Sequence, residues 1–538
     1  MKSAAFSKER FVIWRYFRGF RSVGIQVARV TIRKRANVPA HAEMNQLRLI
    51  ILTLLLQPLL TSAQTNLPVR PLALKECIQI ALEHNLDIKI ERLGPQIARY
   101  QVGIAYSAYE PTLDGRGIRS FNNSPGGVDD QNRPFPGTRT RGDDISAGVT
   151  GLLPTGLSYD LGGNVSDKWG TGPNGPFEGS DGSVLLKLRQ PLLRNLWIDA
   201  ARLEIQVSKR LLKISEEEFR LQVMKIATAV QFAYFDLKLA WENLRVQQLA
   251  LKSAEQLLAG QKDRVAQGTL APLDEKQAES QVASQQADVL SAERILSAQQ
   301  NVLKNLLSDD FKRWQDVVID PVDELTAPPQ VLRRAESWQI GMAHRPELQQ
   351  AGLELERLGF VLKYRRNQMF PQLDLVGSYG YNGAGSEISR TLEGIERRDS
   401  PFYSYGLVLS VPLGNRFARN NYKVVKAENQ RALLRLQQLE QAILIEIEDA
   451  VKLAQTNFER VDSTRKARLF AEQALDAEQT KFENGKSTSF FVLQFQRDLT
   501  AARLREAQAL AEYNKALAQL GLREGSVLDR NNLKITIK

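Results

Sequence analysis

Residues 415–484 read NRFARNNYKVVKAENQRALLRLQQLEQAILIEIEDAVKLAQTNFERVDSTRKARLFAEQALDAEQTKFEN, a stretch that contains neither glycine nor proline. Residues 192–259 form a second stretch of nearly the same length that also lacks both residues. If each is an α-helix, a rise of about 1.5 Å per residue gives a length of roughly 100 Å. An ordinary globular helix has about 11–12 residues. The sequence therefore predicts two helices that span an unusual distance.

Each long helix is predicted to turn at a glycine, Gly268 or Gly485, and to continue as a second helix. The predicted tips and return helices are, in chain order, 264–272, 273–320, 481–488 and 486–520. Apolar residues recur at three- and four-residue spacing along the hairpins, with Ala, Gln, Glu and Lys between them. This pattern is typical of coiled-coil packing rather than of a helix that is buried all round.

The chain also repeats itself, which indicates a duplicated architecture. Residues 81–114 align without gaps on residues 341–374. Four prolines stand where a strand is expected to meet a helix, and these predicted junction residues are Pro111, Pro191, Pro371 and Pro412. Each half is expected to contain a helix, two strands and a long helical hairpin.

Two predicted strands, 373–381 and 403–411, show a period of two. Leu and Tyr occupy one face, while the other face carries mostly Ser, Gly and Asp. Strands of about ten residues with these two faces suit a transmembrane β-barrel around water. A soluble β-sandwich is the alternative, but it does not explain why short strand pairs interrupt very long helices.

The first half contains an added hairpin at 145–166 with the same alternation. Its flanks are rich in Gly, Pro, Asn and Asp, as long exposed loops are. Two placements are open at this point: the hairpin widens the barrel, or it stands above the membrane. In either case one chain has too few strands to close a barrel, so oligomerisation is expected to remove the sheet edges.

The expected organisation follows from these elements. The segments are a leader at 1–63, a first repeat at 64–307, a connector at 308–332, a second repeat at 333–521 and a tail at 522–538. Within the leader, a basic start at Met44, an apolar stretch and a small-residue cleavage site indicate a signal peptide. A membrane anchor is the alternative for this segment.

Most of the net charge of +11 lies in the leader. Residues 1–63 contain eleven Lys or Arg and two acidic residues, which leaves 61 basic and 59 acidic residues in the rest of the chain. We therefore expect no nucleic-acid partner. Cys77 is the only cysteine, so a disulfide within one chain is excluded. No set of Ser, Cys, His or carboxylate residues indicates catalysis, and we predict neither an enzyme nor a metal or cofactor site.

Several motifs resemble those of a known family. Residues 72–88 read LALKECIQIALEHNLDI, residues 109–113 read YEPTL and residues 370–373 read FPQL. These motifs, in this order, resemble the TolC-type outer-membrane efflux protein family, whose members are called outer membrane factors. The resemblance covers residues 72 to about 525 and is strengthened by the internal repeat.

The resemblance implies the fold class: α + transmembrane β, internally duplicated, with long helical hairpins that form a periplasmic α-barrel below an antiparallel β-barrel shared by a trimer. The family's barrel has twelve strands. The implied partners are two further copies of the chain, outer-membrane lipid, a periplasmic adaptor (membrane fusion) protein and an inner-membrane pump of the RND or ABC type. The implied location is the bacterial outer membrane, with extension into the periplasm.

The resemblance also assigns roles to the hairpin tips. Arg264 and Gly268 match the family's adaptor-docking pattern, and Lys481 and Gly485 match it with lysine in place of arginine. A purely structural role is the alternative, because glycine and a cation both suit the C-terminus of a helix.

Three residues just past the tips are candidates for a tunnel gate, namely Asp274, Phe491 and Gln494. In a trimer, three copies of Asp274 would form a carboxylate ring, whereas Phe491 would form a hydrophobic constriction. For Asp274, a solvated acid at a helix N-terminus is the alternative.

These observations predict an outer-membrane duct of a tripartite efflux or type I secretion system. It would passively export substrates that an inner-membrane pump delivers through the adaptor. The alternative function is an exported coiled-coil scaffold or adhesin without a conducting pore.

Overall fold

The computed structural model describes residues 69–172 and 175–533. The predicted leader at 1–63, with its start at Met44, lies outside the described residues, as do residues 534–538 of the predicted tail. All structural statements below refer to the described residues.

Two of the helices in these ranges are far longer than the others. In chain order the helices are α1 (Leu74–His84), α2 (Leu86–Tyr106), α3 (Ala200–Ala266), α4 (Pro272–Leu307), α5 (Arg334–His344), α6 (Pro346–Asn367), α7 (Ile388–Arg397), α8 (Arg416–Glu483), α9 (Ser489–Glu524) and α10 (Val527–Arg530). Helices α3 and α8 contain 67 and 68 residues, so each is roughly 100 Å long. No helix in the described ranges is both long and apolar enough to cross a bilayer.

The strands form one large sheet and two small ones. In chain order they are β1 (Val69–Leu72), β2 (Thr112–Ser124), β3 (Gly127–Val128), β4 (Pro134–Phe135), β5 (Thr138–Leu152), β6 (Ser158–Gly172), β7 (Gly175–Pro191), β8 (Val318–Pro321), β9 (Gln372–Gly385) and β10 (Ser400–Ser410). The large sheet is antiparallel, with the order β10-β9-β7-β6-β5-β2. The small sheets are β1-β8, which is parallel, and β3-β4.

The two largest differences between predicted and observed helix boundaries are at the start of α3 and at the end of α4. The first long helix begins only after Asp199, whose side chain caps it by accepting a hydrogen bond from the amide three residues later at 2.7 Å. The prediction of a return helix over 273–320 was wrong, because α4 ends at Leu307. The Ser308 hydroxyl accepts a hydrogen bond from the Asp310 amide at 2.9 Å, and such local bonds compete with the helical backbone.

The main apolar core lies where the short elements meet the middle of α3. Its largest fully buried members include Ile78, Phe219, Met224, Leu237 and Leu303. Smaller clusters continue along the two hairpins, one between α3 and α4 and others involving α8 and α9. Each hairpin is therefore held by a series of local contacts along its length rather than by one compact core.

A buried tyrosine joins the connector to this core. The Tyr234 hydroxyl lies 2.8 Å from the Asp323 carboxylate and accepts a hydrogen bond from the Asp323 amide at 3.2 Å. Burial raises the pKa of the Tyr234 hydroxyl, so the group remains protonated and able to donate. The segment after β8 is thereby fixed against α3.

The added hairpin predicted at 145–166 is part of the large sheet. Its strands β5 and β6 lie between β2 and β7 and pair with their neighbours over most of their length. The hairpin is therefore an integral part of this sheet.

The two faces of the sheet differ in chemistry. One transverse row on the first face consists of Leu113, Val149, Leu161, Leu186, Tyr379 and Tyr403, which are successive cross-strand partners. Many side chains on this face are exposed, for example Leu161 at 51% and Leu407 at 63%. The other face carries polar residues, such as the cross-strand partners Ser146 and Asn164. We call the first face the apolar face.

Helix α7 packs on the apolar face at the ends of β7 and β9 that lie away from the long helices. Thr391 is completely buried there and donates a hydrogen bond to the Ser180 carbonyl at 3.1 Å. A Cβ atom on Gly383 would lie 2.1 Å from the Thr391 carbonyl oxygen, so this close approach requires glycine. The exposed apolar face of β9 therefore ends near Tyr381.

Helix α2 has two apolar stripes. One stripe contains Ile88, Ala98 and Ala105, which are buried within the chain. The second stripe is exposed and consists of Ile90, Leu93, Ile97, Tyr100 and Ile104. Its spacing of three and four residues is that of a coiled-coil seam. We call this set the α2 seam.

Cys77 provides a test of the core. Its side chain is fully buried, and burial raises the pKa of its thiol to about 12. We expect maleimide at pH 8 to label Cys77 at least about a thousandfold more slowly in the folded protein than in the unfolded chain, because labelling requires an opening that costs several kcal/mol. A cysteine introduced at the exposed residue Glu255 is the control and should react at once. Rapid labelling of native Cys77 would contradict this core.

Candidate functional site

The predicted site lies at the two hairpin tips, whose backbones are alike. Gly268 and Gly485 have positive φ angles of 72° and 69°. The Gly268 amide donates to the Val265 carbonyl at 3.0 Å, and the next amide donates to the Arg264 carbonyl at 2.9 Å. The second tip repeats this pattern with the carbonyls of Phe482 and Lys481. Both tips are thus Schellman caps, which require the left-handed conformation that glycine adopts most easily.

The matching cations of the two tips have different side-chain partners. The Arg264 guanidinium lies over the ring of Phe482, 4.9 Å from its centroid, and so connects the first tip to the second. The Lys481 ammonium instead pairs with Glu478 of its own helix at 3.0 Å. The backbone roles of Arg264 and Lys481 are therefore equivalent, whereas their side-chain roles are not.

A carboxylate closes the second tip. Glu478 accepts hydrogen bonds from the Ser487 hydroxyl and from Lys481. The Ser487 hydrogen bond, followed by the contact with Lys481, lowers the pKa of the Glu478 carboxyl. The residue in the matching position of the first tip is Gln261, which is only 1% exposed and whose amide has no hydrogen-bond partner among the described residues. The second tip is therefore held by a charged carboxylate, whereas the first tip has a neutral amide at the same position.

The gate candidates are not all brought together. Asp274 lies in the first turn of α4 and accepts a hydrogen bond from the Ser489 hydroxyl at 2.7 Å, so it joins the two hairpins. Phe491 is 49% exposed and packs edge-to-face on Phe490. Gln494 donates to Asp498 of its own helix at 3.3 Å. Of the three gate candidates, Asp274 is the one with a hydrogen bond to the other hairpin among the described residues.

Sequence reasoning missed several residues at this site. Arg264 lies over the ring of Phe482, and the Ser489 hydroxyl donates to Asp274. In addition, Arg497 of α9 donates to Gln281 of α4 at 2.9 Å. The period of each helix shows which residues share a face, but not which face meets the neighbouring hairpin. Only the packing of the two hairpins against each other brings these partners together.

The predicted junction prolines lie at strand ends. Pro111 and Pro371 directly precede β2 and β9, Pro191 ends β7, and Pro412 follows β10. Proline cannot donate a ladder hydrogen bond, so strand ends are where it is tolerated.

Comparison with known proteins places this arrangement in a family. Residues 77–308 and 340–523 match the family model described as outer membrane efflux protein. The chain belongs to this family. This outer membrane efflux protein is 22% identical over 433 residues to the cation efflux system protein CusC of Escherichia coli O157:H7. The alignment covers 80% of each chain. It is 24% identical over 322 residues to the pyoverdine export outer membrane protein OpmQ of Pseudomonas aeruginosa, covering 57% of this chain and 64% of OpmQ.

Solved structures share the fold. The crystal structure of the Campylobacter jejuni CmeC outer membrane channel superposes on this efflux protein with a TM-score of 0.62 and 16% identity, covering 86% of this chain and 90% of CmeC. The predicted family, the predicted function in a tripartite efflux system and the predicted location in the outer membrane with extension into the periplasm are confirmed. The scaffold or adhesin alternative is not favoured.

The hydrogen bonds of the Glu478 carboxylate predict that the stability of the second tip depends on pH. Because the Glu478 pKa is lowered in the folded state, its carboxylate stabilises the tip above the unfolded pKa of about 4.3, and this stabilisation is lost as the pH falls through the lower folded value. We expect Glu478→Gln to speed hydrogen exchange of the Gly485 and Lys486 amides severalfold at pH 7. The ratio of variant to wild-type rates should fall towards one only as the pH drops through the lowered folded pKa of Glu478.

Glu459→Gln is the matched control for this experiment, because it removes the same charge from an exposed residue of the same helix, about 40 Å from the tip. It should leave the exchange rates of the two tip amides unchanged. Equal rates at pH 7 for Glu478→Gln and the wild type would contradict the role of this carboxylate.

Proposed function

We propose that three copies of this efflux protein form a passive duct, with a shared antiparallel β-barrel in the outer membrane and the helical hairpins packed into a periplasmic α-barrel. The observation that carries this proposal is the apolar face, which continues across all six strands and is joined to two helices of roughly 100 Å. An exposed apolar face on one side and a polar face on the other suit lipid outside and water inside.

Two sets of unpartnered groups support assembly from identical subunits. The edge strands β2 and β10 leave backbone groups without sheet partners in the described chain, and such groups cannot remain unpaired in lipid. The α2 seam presents an exposed coiled-coil stripe next to the helices that it already contacts within the chain. A neighbouring copy would cover both, so we assign the α2 seam to a helix of the next subunit.

We infer that the chain is internally duplicated. Helices α2 and α6 have 21 and 22 residues, and the return helices α4 and α9 both have 36 residues. These equal lengths, together with the matching Schellman caps, support two copies of one unit that differ by the strands β5 and β6.

We propose that the periplasmic adaptor docks at the hairpin tips through Arg264, Gly268, Lys481 and Gly485. Because Arg264 contacts the second hairpin and Lys481 is engaged by Glu478, the two tips offer unequal surfaces, with Arg264 at the boundary between the hairpins. An adaptor that bound across this boundary would be able to change how the two hairpins pack against each other.

We place the gate at the same end. The Asp274–Ser489 hydrogen bond joins the hairpins in the closed arrangement, while Phe491 and Gln494 line the start of α9. Adaptor binding can open this gate only if the adaptor binds the open arrangement more tightly. Energy then comes from the partner pump.

We assign cargo selection to the inner-membrane pump, which is of the RND or ABC type. A duct of a type I secretion system is the second form of the proposed function. The relatives support this division, because CusC is named for cation efflux and OpmQ for pyoverdine export. One duct architecture thus serves different cargoes.

The α2 seam yields a test of the trimer. We expect Ile97→Glu to dissociate the trimer in mild detergent, because it places a charge inside an apolar helix contact. Arg99 is also exposed but lies about 200° around the helix from Ile97, away from the seam, and Arg99→Glu is the control. Size-exclusion chromatography with light scattering measures the result. An intact trimer for both variants would remove the seam from the subunit interface.

The docking proposal predicts that Arg264→Glu weakens site-specific cross-linking to the adaptor at least about tenfold while the trimer remains intact. The charge reversal abolishes the cation–π contact and repels a carboxylate partner. Arg294→Glu makes the same charge change at an exposed residue of α4, about 30 Å from the tip, and should leave cross-linking unchanged. If both variants cross-linked like the wild type, the docking assignment would be wrong.

A further inference from the structure

Strands β5 and β6 contribute to the apolar face of the large sheet. The transverse row from Leu113 to Tyr403 crosses the sheet without interruption, and its members Val149 and Leu161 belong to β5 and β6. If the hairpin stood above the membrane, its apolar residues would not share a row with those of β9 and β10. The hairpin therefore lies at the same height as the other strands.

The exposure of these side chains leads to the same conclusion. Ile145 and Leu161 are exposed on the apolar face to an extent similar to that of Leu375 on β9. The apolar alternation in each strand also covers about nine residues, 145–153 and 157–165 in the hairpin and 373–381 in β9. A transmembrane strand requires about 9–11 residues. Strands β5 and β6 thus have the length and surface of membrane-spanning strands.

The edges of the sheet are β2 and β10, and the hairpin lies between β2 and β7 rather than at an edge. Within the described chain, β2 and β10 run in opposite directions, because they are separated by four intervening strands in an entirely antiparallel sheet. Pairing β10 of one copy with β2 of the next therefore continues the antiparallel pattern. Closure between copies requires no rearrangement of β5 or β6.

We infer that three copies close a barrel of eighteen strands, six from each copy, rather than the twelve implied by the family resemblance. This inference rests on the trimer of the proposed function. With strands about 4.8 Å apart and tilted by about 40°, twelve strands give a backbone diameter of about 24 Å and eighteen strands about 36 Å. The wider barrel leaves a water-filled passage for large hydrated solutes, so the tips rather than the barrel limit the size of the cargo.

Spin-label distances measure this diameter directly. Leu407 is exposed on the apolar face of β10, and native Cys77 is buried and does not compete for the label. In a trimer labelled at Leu407→Cys, the three backbone positions are about 31 Å apart for eighteen strands and about 21 Å apart for twelve. Pulsed electron resonance on the trimer in outer-membrane lipid vesicles should give the longer distance after correction for the label.

A shortened protein is the matched control. Residues 125–174 are replaced by an Asn-Gly turn, which pairs Ser124 with Gly175 and keeps Leu113 and Leu186 on one face. This variant has four strands, so its Leu407→Cys distance should be about 10 Å shorter than that of the full chain. An unchanged distance would mean that the hairpin lies outside the barrel.

The outcomes separate this inference from the proposed function. A trimer with the shorter distance in the full chain overturns the strand count but leaves the efflux duct in place. A labelled protein that is monomeric in the vesicles overturns the trimer and the barrel together. If the shortened variant fails to assemble, the distance in the full chain still decides the strand count.

Discussion

The need to satisfy every backbone polar group without water dominates this structure. A sheet in lipid cannot leave an edge open, and the sheet of one chain ends at β2 and β10. The same logic applies to the α2 seam, whose apolar side chains are costly to leave in water. In the proposed trimer, a further copy of the chain covers both surfaces around one axis.

The long helices meet a different requirement, which is to hold their shape over roughly 100 Å without a compact core. Their buried residues occur as separate clusters along each hairpin, such as Leu244 with Val289 and Val461 with Tyr513. Local contacts of this kind allow one end of a hairpin to change its packing while the other end stays fixed. The middle of α3 is the part with the largest apolar core, because α1, α4, α10 and the connector all pack there.

The tips show how one backbone motif can support two chemistries. Both end in the same Schellman cap, so the glycines and the preceding cations have a structural reason to be present at each tip. The side chains then diverge: Arg264 reaches Phe482 of the other hairpin, while Lys481 stays with Glu478. The structural and the functional interpretations of these residues are thus compatible, and the proposed docking role falls to the side chains.

The sequence by itself determined the long helices, the glycine turns and the alternating strands, because helix propensity, left-handed φ angles and a period of two are local properties. It also indicated the family, whose motifs are local as well. The limits of the helices were less certain, since α4 ends at Leu307, where the Asp310 amide donates to the Ser308 hydroxyl, well before the periodic pattern fades. Only the tertiary structure decided that β5 and β6 belong to the main sheet and that Asp274 meets Ser489. Those contacts join residues that are far apart in the chain, and no local pattern states which surface will face which.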